Sequence, residues 1–189
     1  MGPMLEIILV RHAHAEWVAD EARPLSAAGR RDAERLVPLL ESLGPDTLYS
    51  SPFVRARQTI EPLAERLGMP IEEIEGFRER TLAAGAVPDF EGAMLASWQD
   101  FSLTFPGGES SVAAQDRIHA AFESLVERHS KKRLIVATHG NVLGLLFNRF
   151  DPTHHYEFWQ SITWPDVFRV SVDAGRVVGI ERLWNGSER

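Results

Sequence analysis

Apolar and polar positions follow two different patterns along the chain. Short runs of mostly β-branched apolar residues, such as Leu5–Val10 and Leu134–Ala137, are typical of strands buried on both faces of a parallel sheet. Longer segments carry apolar residues at helical spacing, and Ser110–Ser130 is the longest of them. The two patterns alternate, which favours an α/β fold.

The same patterns predict three further helices, two short strands and a closing hairpin. Residues 82–108 lack clear periodicity and contain several Gly and Pro, so we expect an irregular excursion there. The predicted helices cover 26–43, 53–67 and 141–150, the strands 46–50 and 71–74, and the hairpin 167–172 and 176–183.

This order of elements predicts one domain over residues 1–189, built as a three-layer α/β/α sandwich around a mostly parallel sheet. In sheets of this kind, ligands bind outside the carboxyl ends of the strands. His12 and His139 each follow a predicted strand closely. We therefore expect the two histidines to converge on one pocket.

Composition and charge narrow the range of functions. The chain has 27 acidic and 20 basic residues, and its net charge of -7 opposes nonspecific binding to nucleic acid. Its one basic run, Lys131–Arg133, is interpreted as a solvated helix end. Because there is no cysteine, thiolate metal sites and a catalytic thiol are excluded. No apolar run is long enough for a membrane span, and the N-terminus lacks a signal-peptide pattern, so we expect a cytoplasmic protein.

Six short motifs follow one another between residues 9 and 144. In order they are Leu9-Val10-Arg11-His12-Ala13-His14-Ala15, Leu25-Ser26-Ala27-Ala28-Gly29, Ser50-Ser51-Pro52-Phe53-Val54-Arg55-Ala56-Arg57-Gln58-Thr59, Arg78-Glu79, Pro106-Gly107-Gly108-Glu109-Ser110 and Val136-Ala137-Thr138-His139-Gly140. In the content and order of these motifs the chain resembles the histidine phosphatase superfamily, the phosphoglycerate mutase-like proteins. The resemblance implies the phosphoglycerate mutase-like fold and chemistry on phosphomonoesters.

The residue types in the motifs suit that chemistry. A phosphomonoester dianion needs positive charge and several hydrogen-bond donors, and the planar guanidinium groups of Arg11 and Arg55 provide both. The resemblance implies that His12 is the nucleophile, which forms a phosphohistidine. His139 is expected to stabilise the transition state and to bind phosphate. The Gly140 N–H, at a helix start, adds another donor.

One carboxyl group can serve first as an acid for the leaving alkoxide and then as a base for the attacking water. Within the family this acid commonly lies in an Arg-Glu context, which Arg78-Glu79 reproduces, so Glu79 is assigned to the role. Glu109 is the competing candidate. In its Gly-Gly-Glu-Ser context we expect Glu109 to support the loop and the start of the next helix.

The chain also departs from the family pattern. Ala13 replaces a usual glycine, which is a mild change if the backbone there does not need a positive φ. His14 and Ala15 replace a usual Glu-Thr pair, and Val18 stands where a phosphate-binding asparagine is usual. The Arg23–Ser26 stretch resembles the short phosphohistidine phosphatases. Because those proteins typically lack the carboxyl acid, Glu79 argues against that subgroup.

Several more polar and aromatic residues receive structural interpretations. His154 and His155 point apart on regular backbone and no carboxylate pattern completes a site, so no metal is assigned. The rest are His14 in a partly exposed loop, Arg57 in an ion pair, His119 and His129 on a helix surface, and Trp17, Trp98, Trp159 and Trp164 at a pocket mouth or in the core.

The sequence thus predicts a phosphatase that needs no cofactor or metal and acts on a small phosphorylated substrate, with no nucleic-acid or membrane partner. Specificity is expected to lie in residues 80–108, near Trp17 and in 153–164. Three different functions stay open beside it: a 2,3-bisphosphoglycerate-dependent phosphoglycerate mutase, a phosphohistidine protein phosphatase, and a noncatalytic module that binds a phospholigand.

Overall fold

A computed structural model describes residues 4–17 and 22–184. Within these residues, six strands form one sheet in the order β3-β2-β4-β1-β5-β6. The first four in this order run parallel, while β5 is antiparallel to both β1 and β6. The strands are β1 (Leu5–Arg11), β2 (Thr47–Ser50), β3 (Ile71–Glu73), β4 (Arg133–Thr138), β5 (Asp166–Asp173) and β6 (Arg176–Trp184).

Helices cover both faces of this sheet. They are α1 (Ala27–Ser42), α2 (Val54–Leu67), α3 (Phe90–Gln99), α4 (Ser111–Arg128), α5 (Gly140–Phe150) and α6 (Tyr156–Ser161), and a 3-10 turn spans Glu75–Phe77. None of the described helices is long and apolar enough to cross a membrane. The predicted α/β class, with its mostly parallel sheet, closing hairpin and helices on two faces, is confirmed.

The alternating direction of the side chains along β1 explains why helices cover both faces of the sheet. Ile7 and Leu9 pack with α4 and α5 on one face, whereas Ile8 and Val10 pack with α1 and α2 on the other. All four side chains are fully buried. Successive strand residues point to opposite faces, so a run that is apolar at every position requires a cover on both sides.

The prediction of an irregular excursion over 82–108 is wrong for its middle, where α3 forms. Asp89 caps this helix by accepting a hydrogen bond from the Gly92 N–H at 2.9 Å. Its buried face includes Ser97, while Phe90 and Leu95 are exposed. A polar residue on the inner face and apolar residues on the outer face together conceal the helical period.

The basic run is also placed differently from the prediction. The helix α4 ends at Arg128, and Lys132 pairs with Asp46 at 3.1 Å. Arg133 is the first residue of β4, where it pairs with Glu6. The two lysines are exposed, as expected, but the run lies between α4 and β4 and at the start of β4, where it joins β4 to its neighbours, and not at a helix end. A second helix without a predicted counterpart is α6, which has six residues and no buried side chain.

Candidate active site

His12 lies at the carboxyl end of β1, and its ring is fixed by two hydrogen bonds. Its Nδ1 is 2.7 Å from the Ala13 carbonyl oxygen, and the Arg55 Nε donates to its Nε2 at 3.3 Å. Because a guanidinium can only donate, Nε2 is the acceptor and the ring proton is on Nδ1. The lone pair of Nε2 therefore faces Arg55.

His139 lies beside His12, at the carboxyl end of the neighbouring strand β4. The two ring centroids are 5.2 Å apart. The Nε2 of His139 is hydrogen-bonded to the Ser51 hydroxyl at 2.7 Å, and the ring packs edge-on against Phe53. Its Nδ1 is buried and has no partner among residues 4–17 and 22–184. The two strand-end histidines thus converge as their positions in the sequence suggested.

The surroundings keep both imidazoles neutral near neutral pH. Burial, followed by the charge of Arg55, lowers the pKa of His12 well below its usual range. Burial also lowers the pKa of His139, and the neighbouring His12 and Arg55 add to the effect. A neutral imidazole keeps the lone pair that nucleophilic attack requires.

Arg11 ends β1 and packs over the start of α5. Its guanidinium donates to the Ile162 carbonyl oxygen at 2.5 Å and lies 4.2 Å from the centre of the Trp164 ring. A Cβ on Gly140 would lie only 2.5 Å from the guanidinium carbon, so this approach requires glycine. Burial lowers the pKa of Arg11 to about 10, although the charge of Glu79 opposes the shift.

Arg55 is buried in the first turn of α2, which is tied to the loop after His12. Thr59 connects the two, because its hydroxyl donates to the Arg55 carbonyl oxygen at 2.7 Å and accepts from the Ala13 N–H at 3.0 Å. In the described part of the chain, only Lys131 and Ala174 are non-glycine residues with positive φ. Ala13 therefore occupies the usual glycine position without backbone strain.

Glu79 reaches the N-terminus of α5, next to His139. Its two carboxylate oxygens accept from the Asn141 and Val142 N–H groups, each at 3.0 Å, and one of them also accepts from the Arg80 N–H at 2.8 Å. Anionic side chains are stabilised at helix N-termini, where N–H groups lack partners within the helix. The contact places the carboxylate beside Gly140 and within the field of Arg11.

Glu109 occupies a different place. It binds Arg117 through both oxygens, at 2.8 and 2.9 Å, and lies 3.4 Å from Arg78. Its backbone N–H donates to the Thr81 carbonyl oxygen at 2.7 Å. These contacts hold the loop to α4, so of the two carboxylates weighed from the sequence only Glu79 bonds to the start of α5, which directly follows His139.

Further polar residues named from the sequence lie outside this cluster. His14 is exposed, and its ring bonds the hydroxyl of Ser26, the residue that caps α1. Arg57 forms the expected ion pair, with Glu73 at 2.7 Å. His154 packs against Phe158 with ring centroids 4.4 Å apart. No group of His, Asp or Glu that could hold a metal is found among the residues the structure describes, and Val18 lies outside them.

The remaining residues of interest divide between core, surface and pocket. Trp98 is buried in the core, whereas Trp17 is 85% exposed. His119 on α4 approaches Glu123 at 3.6 Å, and His129 follows α4 and bonds Tyr49. His155 packs against Trp98, and Trp159 packs near Gly144. Trp164 covers Arg11.

Sequence reasoning missed the roles of Ser51, Thr59 and Trp164 in supporting the cluster. Ser51 had a usable signal, because it directly follows β2 at the same edge of the sheet as His12 and His139. Thr59 closes the third motif and Trp164 was expected at a pocket mouth or in the core, but their contacts could not be predicted because they depend on how distant segments dock.

Comparisons with known proteins agree with this geometry. A family model described as the histidine phosphatase superfamily (branch 1) matches residues 7–176. A protein named "Probable phosphoglycerate mutase GpmB", from Salmonella paratyphi C, is 31% identical over 159 residues, which cover 76% of this chain and 73% of that protein.

Solved structures share the fold. Bacillus stearothermophilus YhfR is 28% identical, with a TM-score of 0.78 and 96% of both chains covered. A mycobacterial glucosyl-3-phosphoglycerate phosphatase bound to inorganic phosphate is 22% identical, with a TM-score of 0.78 and coverage of 96% of this chain and 97% of that one. Because the family model spans most of the sequence, the chain belongs to the histidine phosphatase superfamily, branch 1.

Proposed function

We propose that this protein hydrolyses phosphomonoesters of small metabolites through a phosphohistidine at His12. The orientation of His12 carries the proposal. The Ala13 carbonyl oxygen fixes the ring through Nδ1 at 2.7 Å, which leaves the Nε2 lone pair directed at the Arg55 guanidinium. A phosphoryl group attracted to Arg55 would then meet that lone pair.

In the first step, Nε2 of His12 attacks phosphorus and the bond from phosphorus to the ester oxygen breaks. Arg11, Arg55 and His139 hold the phosphoryl oxygens as charge builds on them. The departing alkoxide takes the proton of the Glu79 carboxyl group, so that the alcohol leaves neutral.

In the second step, water attacks the phosphohistidine and transfers a proton to the Glu79 carboxylate. The bond between phosphorus and Nε2 breaks, and His12 regains its neutral form. Inorganic phosphate leaves, and the proton on Glu79 restores the acid for the next turnover.

The two arginines supply the positive charge that a phosphate dianion requires, so the proposed reaction needs neither a metal nor a cofactor.

The N-terminus of α5 supplies a further hydrogen-bond donor for the phosphoryl group. Asn141 and Val142 donate to Glu79, whereas no acceptor for the Gly140 N–H is found within residues 4–17 and 22–184. That N–H is assigned to a phosphoryl oxygen.

Turnover of para-nitrophenyl phosphate in the presence of EDTA tests this function. We expect release of nitrophenol that the chelator does not reduce, and a loss of about 1,000-fold or more in His12→Ala. His14→Ala is the matched control, because this histidine is exposed and bonds only Ser26 in the described structure. Equal activity in His12→Ala and wild type would exclude the proposed nucleophile.

A phosphoglycerate mutase is the second candidate, and it is favoured by the 31% identity to a protein named as a probable mutase. Mutase and phosphatase share the phosphohistidine and differ in what accepts the phosphoryl group. With 3-phosphoglycerate and a trace of 2,3-bisphosphoglycerate, a mutase forms 2-phosphoglycerate, whereas the proposed phosphatase forms glycerate and phosphate.

The variant Glu79→Gln distinguishes a phosphohistidine phosphatase from a noncatalytic module. A phosphohistidine phosphatase would retain activity on a phosphohistidine peptide in this variant, since an imidazole leaving group has a different need for a proton. A noncatalytic module would bind inorganic phosphate but release none from any ester, with or without Glu79.

A further inference from the structure

A short ladder that begins just after His12 holds the backbone next to Arg23. The Ser26 N–H donates to the His14 carbonyl oxygen at 3.0 Å, and the Glu16 N–H donates to the Pro24 carbonyl oxygen at 2.9 Å. An antiparallel bridge joins Ala15 to Leu25 between them. The ladder fixes residues 14–16 against residues 24–26.

The register of this ladder sets the side on which Arg23 lies. Residues two apart on an extended chain share a face, and Leu25, two positions on, is fully buried. Arg23 therefore shares the inward side of the segment. Its own side chain is half-buried, in contrast to Arg11 and Arg55, which are both more than nine-tenths buried. Arg23 thus lies nearer the protein surface than these two arginines.

The guanidinium of Arg23 rests on an aromatic platform and makes no polar contact beyond it in the described residues. Its central carbon is 5.4 Å from the centre of the Trp17 ring. No hydrogen bond or ion pair joins Arg23 to residues 4–17 or 22–184, whereas Arg11 donates to the Ile162 carbonyl oxygen and Arg55 to His12. Its planar set of donors is available to a ligand.

The charge of Arg23 acts on the centre of the cluster. It lowers the pKa of both His12 and His139, after larger effects of burial and nearer charges. Glu79 in turn opposes the lowering of the pKa of Arg23 that burial causes. Arg23 is therefore close enough to interact with a substrate whose phosphoryl group lies at the two histidines.

The charge balance indicates what Arg23 binds. Arg11 precedes His12 and Arg55 donates to it, and their two positive charges match those of a phosphoryl dianion. Arg23 is more exposed than either of these arginines. Its positive charge is therefore available to a second anionic group on the alcohol part of a substrate.

We propose that Arg23, supported by Trp17, forms a subsite for a carboxylate on the leaving alcohol, so that the preferred substrates are phosphate esters of hydroxy acids. This inference rests on the proposed function, because it assumes that the phosphoryl group lies at His12. A carboxylate is planar, so the planar guanidinium of Arg23 can bind it through two parallel hydrogen bonds.

Two probes that differ chiefly in the carboxylate test the subsite: 3-phosphoglycerate and glycerol 3-phosphate. We expect wild type to have a kcat/KM at least about 10-fold higher for 3-phosphoglycerate, measured as phosphate released. In Arg23→Gln we expect a higher KM for 3-phosphoglycerate, so that kcat/KM becomes about equal for the two probes. The kcat and KM for glycerol 3-phosphate should change little. Arg30→Gln, at an exposed position on α1, is the matched control.

Two results would overturn the subsite. One is the absence of any preference in wild type. The second is an equal loss on both probes in Arg23→Gln, which would assign Arg23 to the transferred phosphoryl group.

Binding to His12→Ala, measured by calorimetry, separates this inference from the proposed function. A carboxylate preference that disappears in His12→Ala/Arg23→Gln supports the subsite even if wild type releases no phosphate from any ester. Equal affinities for the two probes in His12→Ala contradict the subsite even if wild type proves to be a phosphatase.

Discussion

The imidazole rings of His12 and His139 meet edge to face, with centroids 5.2 Å apart. Their meeting follows from strand register, because Arg11 of β1 pairs with Thr138 of β4 and each histidine is the next residue. The carboxyl ends of two adjacent parallel strands thus deliver both rings to one place. A phosphoryl group bound there would contact the two rings at once.

Glu79→Gln is expected to separate the two chemical steps. Nitrophenolate leaves without needing a proton, whereas hydrolysis of the phosphohistidine needs a base. With para-nitrophenyl phosphate we predict a burst of nitrophenol equal to the enzyme concentration, followed by turnover about 100-fold slower than in wild type. Rapid-mixing absorbance measurements report both phases.

Glu109→Gln provides the contrast to Glu79→Gln. Because Glu109 binds Arg117 through both oxygens, its change should lower the free energy of unfolding without producing a burst. A burst in the Glu109 variant and none in the Glu79 variant would reverse the assignment of the two carboxylates.

Ser51→Ala tests whether Ser51 positions His139. Removing the hydroxyl deletes the 2.7 Å hydrogen bond to Nε2 and frees the ring to turn. We expect kcat to fall about 10-fold with a smaller change in KM, since the interaction matters most when charge develops. Ser51→Thr, which keeps a hydroxyl, should recover part of the loss. Equal losses in both variants would indicate a packing effect only.

Gly140→Ala tests the close approach of Arg11 to α5. The added Cβ would lie 2.5 Å from the guanidinium carbon, so Arg11 must move away from its place over the helix start. We predict that inorganic phosphate binds about 10-fold more weakly, as measured by calorimetry. Gly85→Ala is the control, because nothing lies within 4 Å of its Cβ. Unchanged phosphate affinity in Gly140→Ala would remove Arg11 from the phosphate site.

The lowered pKa values of His12 and His139 predict how stability depends on pH. In the unfolded chain a histidine has a pKa near 6.5, well above its value in the folded protein. Below about pH 6.5 the unfolded chain therefore binds more protons, and the free energy of unfolding falls as pH falls. The loss is at most about 1.4 kcal/mol per pH unit for each histidine, and it is absent at higher pH.

Urea unfolding at pH 7.5 and 5.5 checks this dependence. We expect the loss of stability between these values to be smaller in His12→Asn than in wild type, because one buried titrating group is removed. His14→Asn serves as the control for the substitution itself, since His14 is exposed and lies outside the cluster. An identical pH dependence in wild type and His12→Asn would contradict the lowered pKa of His12.

The parts of the fold that the sequence predicts are those with local signals. The strands β1 and β4 could be predicted because each is a continuous apolar run, which is the pattern of a strand buried on both faces of a parallel sheet. The helix α3 was missed because its exposed Phe90 and Leu95 and its buried Ser97 conceal the period. Local patterning is a weak guide where tertiary packing decides which side of a helix is buried.

The candidate site shows the same division. Arg11, His12, Arg55, Glu79 and His139 could be named from motifs, and the structure brings them together. The contact of Glu79 with the Asn141 N–H and the platform under Arg23 could not be predicted. Each joins segments that are distant in the sequence or depends on a ladder too short to leave a periodic pattern.

Trapping the covalent intermediate tests the central claim most directly. Wild type and His12→Ala are mixed with para-nitrophenyl phosphate in EDTA, quenched in base within milliseconds, and examined by intact mass and peptide mapping. We predict a phosphoryl group in wild type, at less than one per chain, attached to His12 and lost in acid, and none in His12→Ala. Turnover without any adduct, or an adduct that persists in His12→Ala, would contradict it.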